Sequence, residues 1–192
     1  MSTIEILAAG LSVVYVLLAI RNKPICFVFG LLGSLLWAYS SYTLYNLKWD
    51  AFLNVFYALM SVYGLWVWTG GSSKVALPIQ RLSFNKHLST LFLGGVATLL
   101  MAYIGQEYIN SNYAFLDALT TILSIIGTIF ISQRYLSSWA YLLLADLIYI
   151  YIYFASGASI FMWMMVFYSF MAILGLIQWN KIFNREISTP AP

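Results

Sequence analysis

Charge is scarce in this sequence: only 8 % of its 192 residues are Asp, Glu, Lys or Arg, and 62 % are hydrophobic. Ordinary globular domains carry about 25 % charged residues. Cysteine and histidine are each present once, as Cys26 and His87. These shortages exclude a soluble catalytic domain, an internal disulfide and a cysteine-rich metal site. We interpret His87 as a solvated loop residue.

Catalytic motifs are missing too. The sequence has no Ser/His/Asp set, HExxH motif, glycine-rich phosphate loop or Walker-type motif. Each of these arrangements brings together the side chains or backbone amides that its chemistry needs. The sequence therefore predicts neither an enzyme nor an ATP-driven pump, and it predicts no cofactor and no metal.

Long apolar runs make up most of the chain. About 18 mostly apolar residues suffice to cross the hydrocarbon layer as a helix. Seven such runs follow one another, at 4–20, 25–45, 50–69, 88–106, 115–132, 138–155 and 159–179. The sequence thus predicts an all-α polytopic membrane protein with seven transmembrane helices in the lipid bilayer.

The basic residues predict the orientation of these helices. Lys and Arg concentrate in the cytoplasmic connections of membrane proteins. With the N-terminus outside, the outer connections hold only Lys48, and the inner ones hold Arg21, Lys23, Lys74, Arg81, Lys86, Arg134, Lys181 and Arg185. We therefore expect the N-terminus outside and the C-terminus inside. The net charge of +3 then reflects topology and does not indicate a nucleic-acid partner.

The first three runs resemble the last three. Residues 54–68 ("NVFYALMSVYGLWVW") and 165–179 ("MVFYSFMAILGLIQW"), 111 positions apart, share seven identities in fifteen. Residues 5–14 and 117–126, 112 positions apart, both open with an acidic residue. Such internal similarity is the mark of a duplicated unit.

This repeat predicts the domain organisation. We expect a three-helix repeat in residues 1–69, a cytoplasmic loop in 70–87, a linker helix in 88–106, a second three-helix repeat in 107–180 and a cytoplasmic tail in 181–192. The linker helix lets both repeats enter the membrane in the same direction. This is the parallel arrangement known from some transporters.

The sixth run holds a carboxylate near its centre, Asp146. A charge in mid-membrane is costly and by default indicates a functional site, although a hydrogen bond to a neighbouring helix is the alternative. At helical spacing Asp146 shares one stripe with Trp139, Leu142, Tyr149 and Tyr153. A carboxylate bracketed by aromatic rings suits a flat cationic ring.

The first repeat offers three further candidates. Trp37 either packs or walls a cavity, and Asn54 either bonds to another helix or contacts a substrate. Tyr57 lies one turn from Asn54. The counterpart of Asn54 in the repeat is Met165, so this polarity is asymmetric, which favours a functional role over an architectural one.

Several motifs in this sequence resemble those of a known protein family. The Leu-Asp-Ala opening at 116–118, the turn Arg134-Tyr135-Leu136 followed by Trp139, and the ending of residues 54–68 resemble the PnuC family of bacterial vitamin transporters over about residues 4–180. The resemblance implies a fold of three helices, a linker and three helices, as in SWEET sugar transporters. It also implies a multi-pass protein of the bacterial inner membrane.

The resemblance implies a function as well. The best-known members carry nicotinamide riboside by facilitated diffusion, and a cytosolic kinase traps the vitamin by phosphorylation. Related members carry thiamine or riboflavin. We therefore expect a small cationic vitamin as the substrate, bound by Asp146, Trp139, Tyr149, Tyr153, Leu142, Asn54, Tyr57 and Trp37.

The sequence departs from the family pattern at the expected site. In the nicotinamide riboside type, the sixth helix reads Trp-x-x-Trp-x-x-x-Asn, and here the three positions hold Trp139, Leu142 and Asp146. Many relatives have Gln where this chain has Asn54. Nicotinamide riboside is the expected substrate and thiamine the alternative, since both are flat cations. The alternative to a transporter is a non-transporting membrane subunit. The sequence does not determine whether the protein forms a homo-oligomer.

Overall fold

The computed structural model describes residues 3–44, 48–71, 77–109 and 113–188. Within these residues the chain forms seven α-helices: α1 (Thr3–Ile20), α2 (Cys26–Thr43), α3 (Lys48–Trp68), α4 (Phe84–Ile109), α5 (Ala114–Ser132), α6 (Ser138–Ala155) and α7 (Ser159–Ser188). All seven are long and apolar enough to cross a membrane. The predicted seven-helix membrane protein is confirmed.

The helix bounds follow the apolar runs closely, with two exceptions. α4 begins at Phe84, four residues before the predicted start, and α7 continues to Ser188, nine residues past its apolar run. Hydropathy marks only the part of a helix that suits lipid, whereas the backbone ladder continues into polar sequence. Lys74 and the side chain of Lys48, both used to predict the orientation, lie outside the described residues.

The chain forms two compact units. The N-terminal unit comprises the described part of residues 1–78 together with Ser132–Arg134, and the C-terminal unit comprises residues 79–131 and 135–188. In the N-terminal unit α2 packs against both α1 and α3, and in the C-terminal unit α6 packs against α7.

A close contact between glycine and an aromatic ring joins two helices in each unit. In the N-terminal unit, Phe27 of α2 covers Gly64 of α3 and meets Trp68 edge-on, with ring centroids 4.9 Å apart. In the C-terminal unit, Trp139 of α6 covers Gly175 of α7 and meets Trp179 edge-on at 5.5 Å. We call these two contacts the glycine notches. A missing side chain lets the ring approach the helix backbone, which is how membrane helices pack closely.

The turns that enter α2 and α6 are also alike. Asn22 and Arg134, 112 positions apart, both have left-handed backbones, with φ of 56° and 60°. The next residue in each turn bonds back to the helix it leaves: Lys23 N–H to Leu18 at 3.0 Å, and Tyr135 N–H to the carbonyl of Phe130 at 2.9 Å. This geometry ends a helix by satisfying its last carbonyls. Both the notches and the turns occur at positions that the sequence repeat pairs.

Arg134 is buried although it is charged. Its Nη2 donates a hydrogen bond of 2.7 Å to Asn22 Oδ1, and its guanidinium lies 5.0 Å from the ring of Trp68. An arginine over a tryptophan face gains cation–π attraction. Arg134, one of the basic residues that predict the orientation, thus also has a packing role.

His87 corrects one expectation. It lies in the first turn of α4 and not in a loop. Its ring stacks on that of Tyr141 of α6, with centroids 6.0 Å apart, and its Nδ1 lies 3.1 Å from Tyr141 Oη. The interpretation of His87 as a solvated loop residue was wrong, because hydropathy places the start of α4 four residues too late.

The glycine notches give a test of packing. Replacing Gly175 with Ala places a methyl group closer to the ring of Trp139 than van der Waals contact allows, so we expect Gly175→Ala to lower stability by about 1–3 kcal/mol, the usual cost of overpacking. The measurement is thermal unfolding of the purified protein in detergent.

Gly95→Ala is the matched control. Gly95 also lies within a transmembrane helix, but a Cβ there meets nothing within 4 Å. Its midpoint should stay or rise slightly, since alanine is the better helix former. Equal midpoints for the two variants would show that the notch does not constrain α6 and α7.

Candidate functional site

The carboxyl group of Asp146 is half-buried at the middle of α6. Among the described residues it has no hydrogen bond and no ion pair. Tyr168 of α7 lies close enough to interact with it electrostatically. A half-buried carboxylate without a cation carries a desolvation cost, so a bound positive charge would be favoured there.

Aromatic rings continue from Asp146 along α6 into α7. Tyr149 stacks on Tyr153, with centroids 5.6 Å apart and planes 12° apart. Tyr153 then meets Phe161 of α7 at 5.5 Å and 34°. Faces of aromatic rings attract cations and stack on flat rings. Asp146, Tyr149, Tyr153, Phe161 and Tyr168 together form what we call the α6–α7 site.

Trp139 lies on the same helix but has a packing role. Its side chain is 2 % exposed because the ring fills the notch at Gly175. Its indole N–H is buried and has no acceptor among the described residues. Helix packing thus accounts for the position of the Trp139 ring. The indole N–H group is the part of Trp139 that remains for its predicted role in binding.

Leu142 also contacts another helix. A Cβ built on Gly127 of α5 would lie 2.7 Å from the Leu142 side chain. At the paired positions in the N-terminal unit the sizes are exchanged: a Cβ built on Gly30 of α2 would lie 2.9 Å from the ring of Tyr15 of α1. Leu142 therefore packs α6 on α5, and its substrate contact stays a prediction.

The three candidates of the first repeat belong to the N-terminal unit. Trp37 and Tyr57 are half-buried, and the ring of Tyr57 is tilted on that of Phe56 at 5.7 Å. Asn54 Nδ2 donates to the carbonyl of Asp50 at 3.0 Å and to Asp50 Oδ2 at 3.3 Å. These bonds stay within α3 and leave the amide oxygen of Asn54 without a partner among the described residues.

Two polar residues connected to Asn54 by hydrogen bonds are not among the predicted site residues. Asp50 stands in the first turn of α3, and its Oδ2 accepts a hydrogen bond from Ser41 Oγ of α2. Ser41 is buried, so the bond joins α2 to α3 inside the N-terminal unit. An acid in the first turn is common at helix starts, so the sequence carries no specific signal for the role of Asp50.

Tyr168 and Phe161 are also absent from the predicted site residues. The repeat contained the signal for Tyr168, because it pairs this residue with the candidate Tyr57. The pairing extends to the packing, since Tyr168 meets Phe167 at 5.6 Å much as Tyr57 meets Phe56. No pattern in the sequence indicates Phe161, which becomes part of the site only through the turn between α6 and α7.

The paired helices differ in chemistry along this face. The repeat pairs Ser34, Trp37 and Ser41 of α2 with Asp146, Tyr149 and Tyr153 of α6. The packing of the two helices is alike at the notches and turns, so the architecture does not require a carboxylate at this position. Asp146 is thus a departure from the shared frame, as expected of a functional group.

Comparisons with known proteins identify the family to which this chain belongs. The sequence matches the family described as nicotinamide mononucleotide transporter over residues 2–181. The chain belongs to this transporter family. Among solved structures it is similar to the crystal structure of the vitamin B3 transporter PnuC, with a TM-score of 0.74 and 23 % identity over 95 % of this chain and 82 % of that one. A comparison with curated proteins gives no significant match.

Membership confirms the resemblance to the PnuC family and the class of the protein. The chain is a multi-pass membrane protein with the fold of a vitamin transporter. Within the described residues no three His, Cys, Asp or Glu side chains are grouped so as to hold a metal ion. The α6–α7 site, as defined above, comprises one carboxylate and four aromatic rings.

Leu142→Trp tests whether the side chain at position 142 contacts α5 or the substrate. It restores the tryptophan of the nicotinamide riboside pattern, but the larger ring must displace α5 at Gly127. We expect a loss of about 1–3 kcal/mol in stability, measured by thermal unfolding in detergent.

Leu144→Trp is the control on the same helix. Leu144 is 49 % exposed and should accept a ring at little cost. If Leu142→Trp is as stable as the control and binds vitamin more tightly, residue 142 faces the substrate and not α5.

Proposed function

We propose that the protein carries nicotinamide riboside across the bacterial inner membrane by facilitated diffusion. The pyridinium ring would lie against the stacked Tyr149 and Tyr153, with its charge near Asp146. The observation that carries this proposal is the half-buried carboxylate of Asp146, which has neither a cation nor a hydrogen bond among the described residues and precedes that stack by one turn of α6. The name of the similar vitamin B3 transporter supports the same class of substrate.

The carboxylate favours the nucleoside over its phosphate, although the family is named for the mononucleotide. Nicotinamide riboside is a monocation, whereas the phosphate of nicotinamide mononucleotide makes that molecule a net anion at neutral pH. Close like charges repel strongly where water is excluded. A site built on Asp146 thus suits the unphosphorylated vitamin.

Trapping by phosphorylation gives facilitated diffusion a direction. A carrier without an energy source only equalises the two concentrations, so a cytosolic kinase must remove the imported nucleoside. The same carboxylate would hinder the phosphorylated product from returning. We propose the N-terminus outside and the C-terminus inside, because eight of the nine basic residues then lie in cytoplasmic connections.

Thiamine is the second candidate. Its thiazolium is also flat and cationic, and its aminopyrimidine can donate a hydrogen bond to Asp146. The replacement of a stacking tryptophan by Leu142 and of asparagine by Asp146 supports it, because both changes depart from the nicotinamide riboside pattern. The rival of another class is a non-transporting subunit in which Asp146 holds a partner helix.

Asp146→Asn tests the electrostatic role, because it keeps the shape and removes the charge. We expect affinity for nicotinamide riboside to fall about tenfold, equivalent to about 1.4 kcal/mol. Affinity for reduced nicotinamide riboside, which has nearly the same shape and no ring charge, should change little. The measurement is calorimetric titration of the purified protein.

Glu107→Gln controls for the change in net charge, because Glu107 is an exposed carboxylate of α4. Its titrations should match those of the wild type. An equal loss of both ligands in Asp146→Asn would refute a charge-pairing role. If that variant only unfolds more readily, the partner-helix alternative gains support.

A side-by-side titration decides the substrate. We expect nicotinamide riboside to bind most tightly, thiamine next and nicotinamide mononucleotide most weakly, measured on one preparation at one ionic strength. Tight binding of the mononucleotide would contradict the reasoning from Asp146. A clear preference for thiamine would make the alternative the function.

A further inference from the structure

The segment just before α4 is bound across one end of the C-terminal unit. We call residues 79–82 the strap. Ile79 is 3 % exposed, and its N–H donates to Glu186 Oε2 of α7 at 3.2 Å. Arg81 Nη2 donates to Asn180 Oδ1 at 3.1 Å, and its guanidinium lies 4.8 Å from the ring of Phe183. Two strap residues thus hold the polar extension of α7.

The other two strap residues hold α5 and α6. Gln80 pairs with Tyr135 in a parallel β-bridge, and its carbonyl accepts a hydrogen bond of 2.8 Å from Leu136 N–H. Leu82 packs against a buried cluster of α5 and α6 formed by Leu123, Phe130, Tyr141 and Ala145. Four successive residues therefore join the turn that starts α6 to the helix end that finishes α7.

The strap lies at a particular end of the α6–α7 pair. The other end is the turn at Gly157, through which α6 passes into α7. At the strap end, Trp139 and Trp179 meet in the glycine notch, with the strap contacts beginning one residue later at Asn180. Asp146 lies seven residues along α6 from Trp139, which is about 10 Å at the rise of an α-helix.

We infer that the strap is a latch that holds this end of the α6–α7 pair closed and must release for substrate to leave the α6–α7 site toward the cytoplasm. The inference rests on the proposed transport and orientation, which put the strap end on the cytoplasmic side. A carrier must open its two ends in turn. Separation of α6 from α7 at this end breaks the strap contacts, so their strength sets the rate of opening.

A reversible cross-link tests the latch. Bridged residues lie about 5 Å apart, within the range of a disulfide, so Gln80→Cys and Tyr135→Cys can be joined by oxidation in a Cys26→Ala background. In proteoliposomes, oxidation should slow nicotinamide riboside uptake about tenfold, and reductant should restore it. The uptake rate of each single-cysteine variant should be unchanged by oxidant and by reductant. An oxidised pair that transports at the reduced rate, or a pair that cannot be oxidised, overturns the inference.

A weakened strap gives the opposite result. Arg81→Gln removes the contacts to Asn180 and Phe183, and we expect faster uptake than in the wild type. Lys181→Gln is the control, since it removes one positive charge from the exposed surface next to Asn180. Equal rates in Arg81→Gln and Lys181→Gln contradict the latch.

Two further measurements separate this inference from the proposed function. Titration of the reduced protein with nicotinamide riboside tests the function alone, and an absence of binding refutes it. The latch is then judged without substrate, by hydrogen exchange of the amides in residues 179–188. Arg81→Gln, which loses the strap contacts to Asn180 and Phe183, should speed that exchange relative to Lys181→Gln. If the two variants exchange equally, the strap does not hold α7.

Discussion

Contact between an aromatic ring and a glycine is the interaction on which each unit depends. In lipid the hydrophobic effect does not pull helices together, so they associate where their surfaces fit closely. Phe27 on Gly64 and Trp139 on Gly175 supply that fit at the start of α2 and of α6. Each ring is also held edge-on by a tryptophan one turn further along the facing helix. The direction of α6, and with it the place of Asp146, follows from this contact.

The shared frame makes the chemical differences informative. Both units use the same notch and the same left-handed turn, at Asn22 and at Arg134. On that frame, α2 carries serines where α6 carries Asp146 and Tyr153. Near the ends of these helices, Ser41 bonds to Asp50 in one unit, and Tyr153 meets Phe161 at the paired positions in the other. The two units thus share their packing contacts, while the mid-helix carboxylate and the stacked tyrosines lie in the C-terminal unit alone among these paired positions.

Most of the fold could be predicted from the sequence because each membrane helix satisfies its own backbone and appears as an apolar run. The bounds of α6 agree to the residue, since charged or turn-forming residues flank it. The ends of α4 and α7 could not be predicted from hydropathy, because they continue in polar sequence. The contacts of the strap were invisible for the same reason.

The site was only partly predictable. Helical spacing placed Asp146, Tyr149 and Tyr153 on one face, and Tyr149 and Tyr153 do stack. Spacing within one helix does not tell which residues meet another helix, so the stripe also took in Trp139 and Leu142, which pack on α7 and α5. Tyr168 and Phe161 come from α7, and only tertiary structure brings them to the site. The substrate roles of Trp37, Asn54 and Tyr57 stay predictions.

The exchanged sizes at Gly30 and Leu142 bear on how such a protein can change its vitamin. Leucine at 142 occupies the space left by Gly127, as Tyr15 occupies the space at Gly30. A change of side chain at 142 therefore alters the fit of two helices as well as any contact with a ligand. Neighbouring substitutions of this kind are not additive. Substitution at 142 is thus contingent on its neighbour, because a larger residue there requires α5 to make room for it.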